Sequence, residues 1–122
     1  MKILIKSGNI KVEAELNDNY TAKRIFEKLP FSALVKTWGD EIYFSIPVQL
    51  GEEKGREEVE VGDLAYWPPE NAFCIFFGRT FASKNDKPRA ASKVNVFGNI
   101  IGDPLIFKSV KDGSKISVEK IN

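Results

Sequence analysis

The sequence predicts an all-β fold: a closed antiparallel barrel of about eight strands, capped by one or two helices. Three observations predict it. Short runs of alternating apolar and polar residues recur along most of the chain, glycine-centred turns separate them, and one segment carries a convincing helical stripe. No internal repeat or linker interrupts the pattern, so the 122 residues are expected to form a single domain, 1–122.

KILIK and IKVEAEL flank Ser7-Gly8-Asn9, a turn rich in residues that accept positive φ, which makes residues 2 to 16 a hairpin. Ile10, Val12, Ala14 and Leu16 alternate with polar residues and form its buried side. Asp18 or Asn19 can cap the helix that follows, and Pro30 lies beyond its end. Within it Ala22, Ile25, Phe26 and Leu29 fall at i, i+3, i+4 and i+7, one apolar stripe suited to closing the end of a sheet.

LVKTWGDEIYF, residues 34 to 44, contains Gly39-Asp40, which suits a two-residue type II′ turn with glycine first. That turn sets Trp38 opposite Glu41 and Lys36 opposite Tyr43. Alternation then sorts the side chains. Val35, Thr37, Ile42 and Phe44 share the face expected to be core. Lys36, Trp38, Glu41 and Tyr43 share the other, which is too aromatic for a merely solvated surface.

Residues 51 to 60, GEEKGREEVE, read as a charge-rich loop. Glu52, Glu53, Glu57 and Glu58 could in principle hold a metal, but the interleaved Lys54 and Arg56 compete for their carboxylates, so a solvated face is preferred and no metal is expected. VEVGDLAYW follows as strand, turn and strand. AFCIFFG is a buried strand by its apolar density, and residues 82 to 92 are a long polar connection. VNVFGNI is a further strand, GDP at residues 102 to 104 a turn, and PLIFKSV a short helix. KDG turns the chain into the last strand, KISVEKI.

Composition removes whole classes of chemistry. Histidine is absent, so neither Ser-His-Asp nor Cys-His catalysis can be built, nor histidine-ligated zinc or haem. One cysteine, Cys74, excludes an intramolecular disulfide and any CxxC site, and its place in AFCIFF reads as a small core hydrophobe. Eighteen basic residues against seventeen acidic ones leave no cationic surplus for a nucleic-acid backbone or an anionic membrane. The chain opens on a strand-like pattern rather than a signal peptide and has no apolar run of membrane-spanning length. A cytoplasmic location, with no cofactor, no nucleic acid and no membrane, is the expectation.

YWPPENAFCIFFG, residues 66 to 78, raises a question that a buried strand does not answer. Trp67 stands before Pro68 and Pro69, a run that can neither continue a helix nor donate ladder hydrogen bonds. Tyr66 and Trp67 are expected to shape one wall of an outward groove, with the prolines stiffening the turn so that Trp67 faces Trp38 and Tyr43. The alternative is that Trp67 plugs the barrel end.

The second half of the chain resembles a cyclophilin. GDLAYWPPENAFCIFFGRT, residues 62 to 80, opens on Gly-x-Leu and ends on paired phenylalanines, as does the segment forming one side of that family's proline pocket. VNVFGNIIGD resembles its strand with Val-Phe-Gly before a turn, and KDGSKISVEKI its closing turn and strand. TWGDEIYF, residues 37 to 44, and YWPP, residues 66 to 69, are similar to segments of the small, atypical prokaryotic cyclophilin-like proteins.

The resemblance implies peptidyl-prolyl isomerase chemistry. An isomerase lowers a barrier of about 20 kcal/mol by stabilising the twisted amide. It needs an apolar pocket for the ring, a cationic donor aimed at the prolyl nitrogen, and polar groups that hold the flanking backbone. By resemblance Phe77 matches the pocket phenylalanine, and strand alternation agrees, with Ile75 and Phe77 facing outward and Cys74 and Phe76 inward; the alternative is that both Phe76 and Phe77 are core. Lys36 falls where the family carries its catalytic arginine, and a lysine lacks the planar fork of that residue. Glu41 and Ile42 fall where it has phenylalanine and methionine, and Trp67 where it has a small alanine on the groove floor. Weak or absent catalysis is therefore expected, with Lys36 the one candidate catalytic residue and Trp38, Glu41, Tyr43, Tyr66, Trp67 and Phe77 the candidate binding residues. The expected partner is a proline-containing peptide or protein segment. Two other readings stay open: a small molecule held between the aromatic rings, with Glu41 and Lys36 as polar ends, or an oligomer interface on that face.

Overall fold

A computed structural model describes residues 1–121. β1 (Lys2–Ser7) and β2 (Ile10–Leu16) form the expected hairpin, with Ile3 paired to Ala14 and Ile5 to Val12. Val12, Ala14 and Leu16 are buried as their alternation predicts. Asn19 caps α1 (Tyr20–Lys28): its side chain accepts from the Ala22 N–H at 2.8 Å. Ala22, Ile25 and Leu29 of the stripe enter the core, and Phe26 packs at its margin.

β3 (Phe31–Leu34), β4 (Lys36–Thr37) and β5 (Glu41–Ser45) come next. After them run β6 (Arg56–Glu58), β7 (Asp63–Trp67), a 3₁₀ turn at Pro68–Glu70 and β8 (Ala72–Phe76). The chain ends with β9 (Arg89–Ile100), a 3₁₀ segment at Pro104–Ser109 and β10 (Lys115–Lys120).

Ten strands, all in antiparallel pairs, join one sheet in the order β3-β10-β1-β2-β9-β7-β8-β5-β4, with β6 attached to β9 beside this path. The sequence suggests about eight strands; β3 and β6 are the ones it does not foresee, and the strand expected at VEV, residues 59 to 61, does not form. β6 lies in the segment expected to be loop. Its sequence, REE, has no apolar alternation, and pairing with β9 rather than burial of its own side chains makes it a strand. The hydrogen-bonded path has two ends, β3 and β4, which Val35 alone separates in the chain. The sheet therefore doubles back until its terminal strands meet covalently, while no ladder joins them. The architecture is all-β with one α-helix among the described residues, and that helix is too short to cross a membrane.

Two apolar clusters result. The larger holds Ile3, Ile5, Ile25, Val35, Ile42, Phe44, Phe73, Ile75, Phe97 and Phe107 among others, with Phe73 stacked on Phe44 at 4.9 Å between ring centroids. The smaller holds Val59, Ala65, Ala72, Cys74, Phe76, Ala90 and Val94, with Tyr43 and Trp67 at its edge. It lies on the other side of β8, whose five residues are all buried.

Candidate functional site

The Gly39-Asp40 turn builds the site. Gly39 takes φ +64°, as the first position of a type II′ turn requires, and Asp40 does not. The register follows as expected: Lys36 pairs with Tyr43, and the Trp38 N–H donates to the Glu41 carbonyl at 3.0 Å. Ile42 and Phe44 then enter the larger core together with Val35. Thr37 does not join them. It lies at the open end of the sheet, exposed, where its N–H donates to Asp112 Oδ1 at 2.9 Å.

On the opposite face, Trp38, Glu41 and Tyr43 meet Trp67 from β7 around a cavity of about 180 Å³. Tyr43 and Trp67 touch edge to face, 6.1 Å apart and inclined at 85°. The Trp67 indole N–H donates to Ser92 Oγ at 2.7 Å, which fixes the ring. The first half of β9 supplies the remaining wall through Ala90, Ala91 and Val94. Phe81, exposed beside the cavity, meets Trp38 edge to face at 5.8 Å and extends the apolar surface outward.

Glu41 is the one ionisable group with a carboxylate in this wall, and it is 5% exposed. Among the described residues it has no ion-pair partner and accepts no backbone N–H. The buried Cys74 thiol lies beside it, its own hydrogen bond directed to the Ala72 carbonyl at 4.0 Å. Burial disfavours the charged form and pushes the Glu41 carboxyl up to about 7, an effect the thiol only partly offsets. Burial, and then the facing carboxylate, push the Cys74 thiol up as well, so it stays protonated and can donate.

Three sequence-predicted residues lie elsewhere. Lys36 is exposed, outside the cavity: its Nζ is 3.6 Å from Glu70 and 6.0 Å from the Tyr43 ring centre. Tyr66 is fully buried in the larger core, where its hydroxyl donates to the Val48 carbonyl at 2.7 Å and accepts from the Leu50 N–H at 3.1 Å. Phe77 packs in the same core, 6.3 Å from Phe107. The expected parity of β8 is thus reversed. Phe73, Ile75 and Phe77 face the larger core, and Cys74 and Phe76 face the cavity side. A strand buried on both faces carries no alternation from which parity could be read.

Sequence reasoning missed Ala90, Ala91, Val94 and Phe81. The first two fall in a stretch that reads as polar connection; the paired alanines, small enough to leave space before the indoles, were the available signal. The acidic loop is used structurally. Glu53 accepts from the Tyr20 and Thr21 N–H groups at the start of α1, and Glu57 pairs with Arg89. No group of three or more potential metal ligands is found among the described residues.

The family model for cyclophilin-like proteins matches residues 1–119. The chain belongs to the cyclophilin-like family. A solved relative agrees in sequence and shape: the solution structure of a hypothetical protein from Archaeoglobus fulgidus is 38% identical, with a TM-score of 0.81 over 99% of this chain and 95% of that one. No curated protein matches. Within this cyclophilin-like frame the cavity offers aromatic and apolar walls around one buried carboxylate. It can enclose a small group and accept or donate one proton at Glu41, but it presents no cationic donor.

Proposed function

We propose that this cyclophilin-like protein is a ligand-binding domain whose aromatic cavity takes one small molecule, and that it does not accelerate prolyl isomerisation as cyclophilins do. The observation that carries this reading is the composition of the cavity wall: Trp38, Tyr43 and Trp67 around Glu41. Isomerisation requires a donor directed at a prolyl nitrogen, and the wall supplies a carboxylate in its place. Lys36, the residue at the arginine position by resemblance, is turned to Glu70 outside the cavity. The volume of about 180 Å³ lies below the range of roughly 300–1,000 Å³ usual for drug-sized ligands. A small metabolite, or one side chain of something larger, fits that scale.

A second reading, a proline-containing segment bound without catalysis, is favoured by Phe81, which continues the apolar surface beyond the cavity mouth. Two measurements test the pair. A protease-coupled assay on an Ala-Pro substrate is expected to show the uncatalysed rate, and a rate typical of cyclophilins refutes the non-catalytic reading. Tryptophan fluorescence, with Trp38 and Trp67 both in the wall, is then titrated with Ala-Pro peptides and a small-metabolite panel. Saturable change with the metabolites alone supports the first reading, and with the peptides alone the second.

A further inference from the structure

We propose that the ligand of this cavity is cationic: a small alkylammonium group seated among Trp38, Tyr43 and Trp67, with Glu41 as its counter-ion. This rests on the ligand-binding reading above and adds the charge of the ligand. A carboxylate placed almost wholly out of water ordinarily stands beside a protein cation or several N–H donors, because an unpaired buried charge is expensive. Among the described residues Glu41 has neither, yet it lines a cavity rather than lying sealed in the core.

The surrounding charges do not neutralise it. Cys74 on β8 offers a neutral thiol, and Tyr43 on β5 a neutral phenol whose ionisation burial further opposes. Lys36 on β4 is engaged by Glu70 of the 3₁₀ turn. Trp67 from β7 and Ala90, Ala91 and Val94 from β9 bring no charge. The protein therefore leaves one negative position open, in a wall otherwise made of aromatic rings and small apolar side chains. Aromatic faces attract alkylated ammonium groups, which keep their charge while presenting an apolar surface. A neutral apolar ligand would use the rings and leave Glu41 unpaired. An anion would meet it as a like charge.

Choline and its neutral carbon isostere 3,3-dimethylbutan-1-ol separate charge from shape. Fluorescence titration of the intact chain at pH 8 is expected to show choline bound about tenfold more tightly than the alcohol. That preference should fall several-fold at pH 5.5, because the cation binds ionised Glu41 and the carboxyl titrates at about 7. In weakly buffered solution at pH 6.5, choline should also release protons and the alcohol should not. Glu41→Gln should abolish the preference. A peptide carrying trimethyllysine distinguishes a side chain from a free amine: whichever binds more tightly names the source, and either result supports a cationic ligand. Equal affinity for choline and the alcohol in the wild-type chain overturns the charge assignment and leaves the small-ligand reading standing. No saturable change with choline overturns the cationic assignment, and the metabolite panel decides the ligand-binding reading separately. The wild-type comparison and its pH dependence decide the matter even if the Gln variant folds poorly.

Discussion

Replacing Glu41 by Gln should stabilise the fold at alkaline pH and leave it nearly unchanged in acid. Glu41 has an ordinary carboxyl value of 4.5 and is held at about 7 by burial. Below 4.5 both folded and unfolded chains carry the proton, and the group contributes nothing pH-dependent. Between the two values the unfolded chain has lost its proton while the folded chain retains it, so stability declines as pH rises. Each pH step across that window removes about 1.4 kcal/mol, and above about 7 the full penalty of roughly 3 kcal/mol is in place. Glutamine keeps the shape and lacks the charge. The melting temperature of Glu41→Gln should thus exceed that of the wild type by on the order of 10 °C at pH 8 and by almost nothing at pH 4. Calorimetry or circular dichroism at four or five pH values measures it. A difference that does not change with pH, or a wild type more stable than the variant at pH 8, would refute burial of an unpaired carboxylate.

Tyr66→Phe removes a hydroxyl that serves both the Val48 carbonyl and the Leu50 N–H, so about 1–3 kcal/mol should be lost in urea denaturation. The probe titrations should keep their midpoints, because Tyr66 does not line the cavity. Gly39→Ala forces a Cβ at φ +64° to within 2.9 Å of the Thr80 backbone. A loss of at least 1–2 kcal/mol should accompany a disturbed Trp38 emission. Ser92→Ala leaves the Trp67 indole N–H without its partner, and the expected cost is about 1 kcal/mol with weakened binding of every cavity ligand.

The legible parts of this molecule are those in which one local rule acts alone. The two-residue turn at Gly39-Asp40 fixes a register, and from that register Trp38, Glu41 and Tyr43 necessarily share a face. The stripe of α1 was equally plain, while its cap was narrowed only to Asp18 or Asn19, of which Asn19 serves. Where two environments compete for one strand, legibility ends. β8 is apolar on both sides, so nothing local says which side of Phe76-Phe77 meets the larger core; the parity read from alternation put Phe77 outward, and the alternative, both rings in the core, is the one that holds. Tyr66 and Trp67 illustrate the same limit: adjacent strand residues point to opposite faces, so only the indole could reach the cavity. β6 and the alanines of β9 depend on long-range pairing that leaves almost no mark in the local pattern. The closed barrel expected from strand spacing is not met by the ladders, which leave β3 and β4 as ends of one sheet that do not pair with each other.

The position of Glu41 makes its chemistry informative. Its strand neighbours Ile42 and Phe44 complete the larger core, and its cross-strand partner is Phe76. Judged by packing alone, a leucine there would bury apolar surface against Phe76 and Cys74 and relieve an expense of roughly 3 kcal/mol at neutral pH. A small all-β fold has a total stability of about 5–15 kcal/mol, so that expense is a large fraction of it. Local violations of this size gather where a fold gives up stability for a task. The violation here is confined to one carboxylate, and that carboxylate is the sole charge in the wall of an aromatic cavity. A group that destabilises the free protein and is relieved by a cation couples ligand binding to folding. Saturating an ammonium ligand should therefore raise the melting temperature most at the pH where Glu41 costs most, above about 7.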